Sequence, residues 1–334
     1  RPGHVGTDQD PLPPLSLAVR PLVTPTRFAL VALLVAALVP AASHAQGCCT
    51  PGTSPLGGIT GSALEPWRIE SGLASEWYEL RQAYRGSEPG EDPAGRHSRV
   101  ARVLGWVRMG LPAAGVLIVE LPFEHRMREQ PQPFGAPGEV FRLTNTAPGD
   151  LSTSLVVRVF PRARPKPWGV NAGLGMKWGT ASIEHEQYGL RLPVELQTGT
   201  GSNDPLVLLT AHRVWPAAGA TLATLARFPR QGRNGYRYGD ELHAVVVGDW
   251  SPRPWWSVGG ELRLRAAAAD RFVGIERLNT GGWRMMAGPR ALVSWRGTGL
   301  GIEGAFLWPV HQHLNGLQIG VDRAAILGVR WKPS

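Results

Sequence analysis

Hydrophobic and polar residues alternate along most of the chain from Trp67 onward. In residues 99–111, for example, the polar positions Arg102 and Arg108 fall on the opposite alternate from the apolar ones, Ala101, Val103, Val107, Met109 and Leu111. Side chains at every second position of a strand share one face, so each such segment predicts a β-strand with an apolar face and a polar face. The pattern predicts twelve strands, at residues 67–77, 99–111, 117–126, 151–159, 168–178, 206–215, 221–228, 242–250, 256–265, 283–295, 300–308 and 317–331.

The connections between these segments alternate in length. Short, turn-forming links fall at residues 112–115, 161–167, 216–220, 251–254 and 296–299. Longer links fall at residues 85–97, 127–149, 180–204, 229–236, 267–281 and 311–316. An even number of strands, short periplasmic turns and longer extracellular loops are typical of an outer-membrane barrel. The sequence therefore predicts an all-β, transmembrane, antiparallel up-and-down barrel of about 12 strands over residues 66–334.

The tryptophans give an independent indication of the same fold. Most of them fall at one end or the other of the predicted strands, where the amphipathic ring suits the boundary between lipid and water. Those beside the short turns or chain ends are Trp67, Trp168, Trp215, Trp250, Trp255, Trp256, Trp295 and Trp331, and those toward the long loops are Trp77, Trp178, Trp283 and Trp308. Two aromatic girdles are the interpretation that we prefer to a soluble β-sandwich with tryptophans in its core.

The N-terminal region has the character of an export signal. Arg27 precedes an apolar run that ends in small residues, which predicts a signal peptide at residues 22–45, cleaved after Ala45, and export to the outer membrane. We interpret residues 1–21 as upstream translation and residues 46–65 as a periplasmic N-terminal segment.

That segment holds the only cysteines, Cys48 and Cys49. Two adjacent thiols offer too few ligands for a metal site. In an oxidising compartment they could form a strained disulfide or bond to a partner, and a lipid anchor on Cys48 is a further alternative.

The number and spacing of charged residues argue against nucleic-acid binding and indicate which side chains face the lumen. The chain carries 35 Lys and Arg residues against 26 Asp and Glu residues. The basic residues are scattered singly rather than clustered, so nucleic-acid binding is not expected. A charge that faced lipid near the bilayer midplane would cost about 2–4 kcal/mol, which requires the strand charges to face the lumen. The predicted lumen-lining residues, which would border a solute path, are Arg102, Arg108, Glu120, Glu124, Arg126, Arg158, Lys177, Glu261, Arg263, Arg265, Arg284, Arg290, Glu303 and Arg330, with Asp322 on the same face of the last segment.

This lumen set is mostly basic, which leaves two interpretations: a cross-paired, solvated lumen, or a preference for anionic amphipathic solutes.

The sequence gives only weak evidence for a catalytic site or a metal site. His125, His212 and His243 have no serine two positions away, so no nucleophile and base are indicated on one strand face. His311 and His313 could share one face of a strand, but no third ligand is evident. We predict no catalytic residue, no metal and no cofactor.

Four glycine-rich phrases, "LQTGTGSNDP" (196–205), "YRYGDEL" (236–242), "NTGG" (279–282) and "HLNGLQIG" (313–320), give the chain a family resemblance. In their order and spacing, residues 56–331 resemble outer-membrane transporters of the phenol-degradation MetA-pathway type, which are distantly similar to long-chain fatty-acid channels. The resemblance implies a barrel that passes small hydrophobic or aromatic molecules. It supplies no catalytic residues.

The leading hypothesis is a passive channel for small hydrophobic, aromatic or anionic amphipathic molecules. The expected partners are the lipid bilayer, the solute and the barrel-assembly machinery, which would recognise the C-terminal strand through Trp331. The alternatives are a non-transporting structural or scaffold barrel that binds a periplasmic partner, and an outer-membrane lipid hydrolase.

Overall fold

The computed structural model describes residues 64–131, 139–160, 167–295 and 297–332. Several predictions concern residues outside these ranges, namely the upstream residues 1–21, the signal peptide 22–45, the pair Cys48 and Cys49, and all but the last two residues of the segment 46–65. In the described part of the chain, no helix is long and apolar enough to cross a membrane.

Twelve strands form one closed antiparallel β-barrel. In chain order they are β1 (Ile69–Leu80), β2 (His97–Leu111), β3 (Gly115–Pro131), β4 (Ser152–Phe160), β5 (Trp168–Lys177), β6 (Asp204–Trp215), β7 (Ala218–Arg227), β8 (Glu241–Arg253), β9 (Trp256–Ala267), β10 (Gly282–Ser294), β11 (Leu300–Ile319) and β12 (Arg323–Trp331). Each strand pairs with the one before it, and β12 closes the barrel on β1, with Ser71 opposite Trp331. The predicted up-and-down barrel is confirmed.

Several shorter strands and one 3-10 helix lie at the end of the barrel that carries the long loops. The strand Val140–Pro148 extends the sheet beside the second half of β3, and Ala83–Gly86 and Glu88–Gly90 form a hairpin on the end of β11. Two small sheets lie in the loops, one of Glu186–Gln187 with Leu190–Arg191 and one of Tyr236–Arg237, Arg271–Phe272 and Ile275–Glu276. The 3-10 helices are Pro112–Ala114, in a short turn, and Val194–Leu196, in a long loop.

The alternation of side chains matches the prediction. On β2, Val103 and Val107 are 43% and 46% exposed, whereas Arg102 and Arg108 are 2% and 3% exposed. Apolar side chains therefore cover the outside of the barrel. Charged side chains face its interior, together with two clusters of buried apolar side chains, one that includes Val100 and Leu307 and one that includes Ile118 and Leu208. The tryptophans at the strand ends are largely exposed on the outside, as two aromatic girdles require, namely Trp67, Trp168, Trp178, Trp215, Trp250, Trp255, Trp283, Trp295, Trp308 and Trp331.

One predicted boundary is wrong. Residues 311–316 form part of β11 rather than a loop, because His313 pairs with Trp283 and Leu314 pairs with Gly86. The turn to β12 lies instead at residues 320–322.

The segment before that turn also faces the other way from its predicted orientation. The amide of Gln312 donates a hydrogen bond to the carbonyl of Val321 and accepts one from the backbone N–H of Val321, each at 2.9 Å, so the turn folds over the interior. Ile319 and Val321 therefore lie in the barrel interior, 2% and 1% exposed, instead of facing lipid. Asp322, which was placed on the lumen face, lies in the turn and accepts a hydrogen bond from the backbone N–H of Arg81 at 2.6 Å.

Candidate functional site

Apart from Asp322, the charged residues predicted to line the lumen all lie at inward-facing positions of their strands. Most are buried, and Arg158, Arg263, Arg284, Arg290 and Glu303 are half-buried. Arg330 is exposed and borders a cavity at one end of the barrel. The structure thus places these side chains on one continuous inner surface. That this surface is a solute path stays a prediction.

The middle of the barrel is crossed by a network of ion pairs. Arg102 donates from Nη2 to Oε2 of Glu76 at 2.7 Å, and Nη1 of Arg263 lies 3.1 Å from Oε1 of the same carboxylate. Arg263 also pairs with Glu261 on its own strand. Because β10, β11 and β12 separate β9 from β1 around the wall, the contact between Arg263 and Glu76 spans the lumen. We call these four residues, Glu76, Arg102, Glu261 and Arg263, the central network.

The central network closes the lumen at its own level. Glu76 is 0% exposed and Arg102 is 2% exposed, so water does not reach their side chains. A barrel of about 8 strands is filled by side chains, whereas one of 16–18 strands leaves an aqueous channel. In this twelve-stranded barrel the central network and buried apolar side chains such as Val100, Val245 and Leu307 together fill the cross-section.

A second group of ion pairs lies toward the long loops. Lys177 contacts Asp150 at 2.8 Å and Asp204 at 3.0 Å. The carboxylate of Glu241 accepts a hydrogen bond from the guanidinium of Arg265 at 2.7 Å. Its Oε1 atom also lies 2.9 Å from Nη2 of Arg227. The carboxylate of Glu124 accepts a hydrogen bond from Nε of Arg126 at 2.7 Å.

The loop after β5 folds inward above these pairs. Nη1 of Arg126 donates to the carbonyl of Glu195 at 2.9 Å, and the amide of Asn145 donates to the carbonyl of Leu196 at 2.8 Å. Leu196 is 1% exposed. The 3-10 turn Val194–Leu196 is therefore held in the mouth of the barrel by side chains of the wall and of the strand beside it.

A cavity of about 400 Å³ occupies the interior at the end with the short turns. Its charged lining residues include Glu70, Arg108, Asp249, Arg290, Glu303 and Arg330. Beyond the cavity, the next inward residues on β1, β2 and β8 are Glu76, Leu104 and Val245, which are 0%, 2% and 2% exposed. The cavity, which we call the vestibule, therefore ends where the central network begins.

More acidic residues face the interior than the sequence predicts. Glu70 pairs with Arg108 at 2.7 Å, and Glu76, Asp150, Asp204 and Glu241 each contact a predicted lumen cation. Glu70, Glu76 and Glu241 lie on the inward alternates of strands, so the pattern of alternation could have identified them. The interior is cross-paired rather than predominantly cationic.

The two histidines on β11, His311 and His313, both lie beside Ser87. Nε2 of His311 lies 3.3 Å and Nδ1 of His313 lies 3.0 Å from Oγ of Ser87. Within the described ranges, no group of three or more His, Cys, Asp or Glu residues is arranged to hold a metal ion.

A buried carboxylate links two of the long loops. Asp270 accepts a hydrogen bond from Oη of Tyr236 at 2.5 Å and one from the backbone N–H of Gly239 at 2.8 Å. Burial raises the pKa of Asp270 to about 7, and the nearby Glu241 acts in the same direction. Burial also raises the pKa of Tyr236, so the phenol remains a neutral donor.

No protein-family model and no curated protein matches the chain. Among solved structures, an outer-membrane channel from Pseudomonas putida F1 superposes with a TM-score of 0.61 at 12% identity, covering 84% of this chain and 98% of that one. The chain shares that channel's fold. A FadL homologue from Pseudomonas aeruginosa gives a TM-score of 0.43 at 10% identity, covering 87% of this chain and 98% of that one. A monoaromatic hydrocarbon channel, CymD, gives a TM-score of 0.42 at 6% identity, covering 80% and 89%.

Proposed function

We propose that this protein is an outer-membrane channel for small amphipathic molecules. The observation that carries the proposal is the two-faced closed barrel, whose outside is apolar and whose inside is lined by paired charges. A surface of that kind is stable only with lipid outside and a polar interior. The fold shared with the channel from Pseudomonas putida F1 supports the proposal.

The proposed solutes are small hydrophobic, aromatic or anionic amphipathic molecules that cross by passive diffusion. Paired guanidinium and carboxylate groups present local dipoles, which suit a solute that has one polar end. The vestibule falls within the range of about 300–1,000 Å³ that small-molecule sites occupy.

A non-transporting barrel is the second candidate, because the central network fills the lumen. Glu76 and Arg102 are fully buried, and no solute passes this level unless their side chains move. The two candidates differ in what happens when the cross-lumen contact is removed.

Single-channel conductance in planar bilayers tests the proposal. For Arg263→Ala we expect severalfold higher conductance than for the wild type, because the substitution removes the side chain that spans the lumen to Glu76. The matched control is Arg323→Ala, which removes an exposed arginine at the start of β12 that pairs with Glu79 of β1. The control should conduct as the wild type does.

Two results would count against the channel. If neither the wild type nor Arg263→Ala conducts while both are folded barrels, the non-transporting barrel is the better account. If Arg263→Ala and Arg323→Ala change conductance equally, the central network is not the constriction.

A further inference from the structure

In the described part of the chain, the vestibule contains an acidic group that has no hydrogen-bond or ion-pair partner. Among the described residues, the carboxylate of Asp249 accepts no hydrogen bond and forms no ion pair, and its Oδ1 atom is buried. An unsatisfied buried carboxylate oxygen is costly, because its hydration is lost without replacement. A ligand that donates hydrogen bonds would remove that cost.

Among the residues that the structure describes, the vestibule also contains a basic group that has no hydrogen-bond or ion-pair partner. Arg330 lines the same cavity and, within the described ranges, makes no hydrogen bond or ion pair. By contrast, Arg108 is held by Glu70 at 2.7 Å, and Arg290 is held by Glu303. Of the charged groups in the vestibule, Asp249 and Arg330 are therefore the ones left for a ligand, and they have opposite signs.

An aromatic side chain also lines the vestibule. Trp106 projects inward from β2, is 7% exposed and lines the vestibule. Its indole lies against Gly72, where an added Cβ would come within 2.5 Å of the ring. The absence of a side chain at Gly72 thus leaves room for the ring, which offers an apolar surface to an apolar group in the vestibule.

We propose that the vestibule is a binding site for a small zwitterion that bears an apolar or aromatic group. Its ammonium group would meet Asp249, its carboxylate would meet Arg330 and its apolar part would pack on Trp106. The proposal deepens the channel proposed above, because it assigns the chemical class of solute that rests below the central network.

Isothermal titration calorimetry on the full-length barrel in detergent tests this assignment with three probes that share a phenylethyl group. Phenylalanine carries both charges, phenethylamine carries the ammonium alone and 3-phenylpropionate carries the carboxylate alone. We expect phenylalanine to bind most tightly. Because a hydrogen bond to a charged group contributes about 1.5–3 kcal/mol, loss of either contact should weaken binding about tenfold or more.

Two variants separate the two charges. Asp249→Asn should weaken phenylalanine and phenethylamine about tenfold and leave 3-phenylpropionate unchanged, whereas Arg330→Gln should do the reverse for the two single-charge probes. Asp322→Asn, in the turn before β12, is the matched control and should change none of the three affinities.

Several outcomes would overturn the assignment. Equal binding of phenylalanine and 3-phenylpropionate would make the vestibule an anion site, and equal binding of phenylalanine and phenethylamine would make it a cation site. No binding of any probe to the folded wild type would show that the vestibule holds only water. Each result is independent of conductance, so a barrel that binds but does not conduct would refute the channel and retain the site.

Discussion

At the scale of single residues, Asp270 is the group whose ionisation should alter the loops. Its carboxyl is buried between the loop after β7 and the loop after β9, where it accepts hydrogen bonds from Tyr236 and Gly239. The charges that act on it from the barrel are those of Glu241 and Arg265. The folded-state pKa of about 7 lies above the ordinary aspartate value of about 3.9.

The sign of the pH effect follows from that raised pKa. Protonated Asp270 is favoured in the packed loops, so its stabilising contribution is complete below about pH 3.9 and is lost as pH rises through about 7. We expect the backbone amides of residues 236–240 and 271–276 to lose protection from hydrogen exchange between pH 5 and pH 8, after correction for the intrinsic rate.

Asp270→Asn provides the matched control for this prediction. The amide cannot ionise, so the protection of both segments should then be independent of pH over the same range. Equal protection of the wild type at both pH values would contradict the assigned role of Asp270.

At the scale of the elements, β2 shows how alternation sets which face meets lipid. Val103 lies on the outward alternate near the middle of the strand, and Leu111 lies on the same face at its last residue. We expect Val103→Arg to destabilise the folded barrel by about 2–4 kcal/mol and Leu111→Arg by about 0–1 kcal/mol, because the cost of a lipid-facing arginine falls with distance from the midplane. Urea titration in lipid vesicles measures both, and equal costs would show that this face does not meet lipid.

The same elements show how far a sequence determines this fold. The first ten predicted strand segments coincide closely with strands, because apolar residues recur at every second position on the face that meets apolar surroundings. The eleventh begins as predicted at Leu300 but continues to Ile319. The last segment fails at Ile319 and Val321, since a buried apolar interior and a lipid-facing exterior both favour apolar residues. Alternation alone could not distinguish these cases, because the hydrogen bonds between the amide of Gln312 and the backbone of Val321, which hold the turn at the interior, leave no trace in the hydrophobic pattern.

The inward-facing positions of most site residues were predictable from the sequence, but their contacts with one another were not. Arg102 and Arg263 face inward as their alternation requires, but nothing in their spacing indicates that they meet at Glu76 across the lumen. That contact depends on the curvature of the closed sheet. Asp249 was missed because its predicted strand, residues 242–250, is apolar on both faces and gave no clear inner side.

At the scale of the whole molecule, closure is what leaves no strand edge in the barrel. β12 pairs with β1 along Ser71–Glu79 and with β11 along Leu300–Leu307, so its removal would expose two edges. Unpaired edges are not tolerated in a hydrocarbon environment, because their backbone groups have no hydrogen-bond partners. The predicted recognition of Trp331 by the barrel-assembly machinery is a separate matter, since that ring lies exposed on the outside of the final strand.

These two roles of β12 predict different phenotypes. The full-length chain should fractionate with the outer membrane and show heat-modifiable migration in electrophoresis. A chain that ends at residue 322 should show neither, because the barrel cannot close, whereas Trp331→Ala should keep heat-modifiable migration after refolding in detergent and lose outer-membrane yield in cells. Normal yield of Trp331→Ala would exclude recognition through this residue, and a full-length chain found in the soluble periplasm would refute the membrane barrel itself.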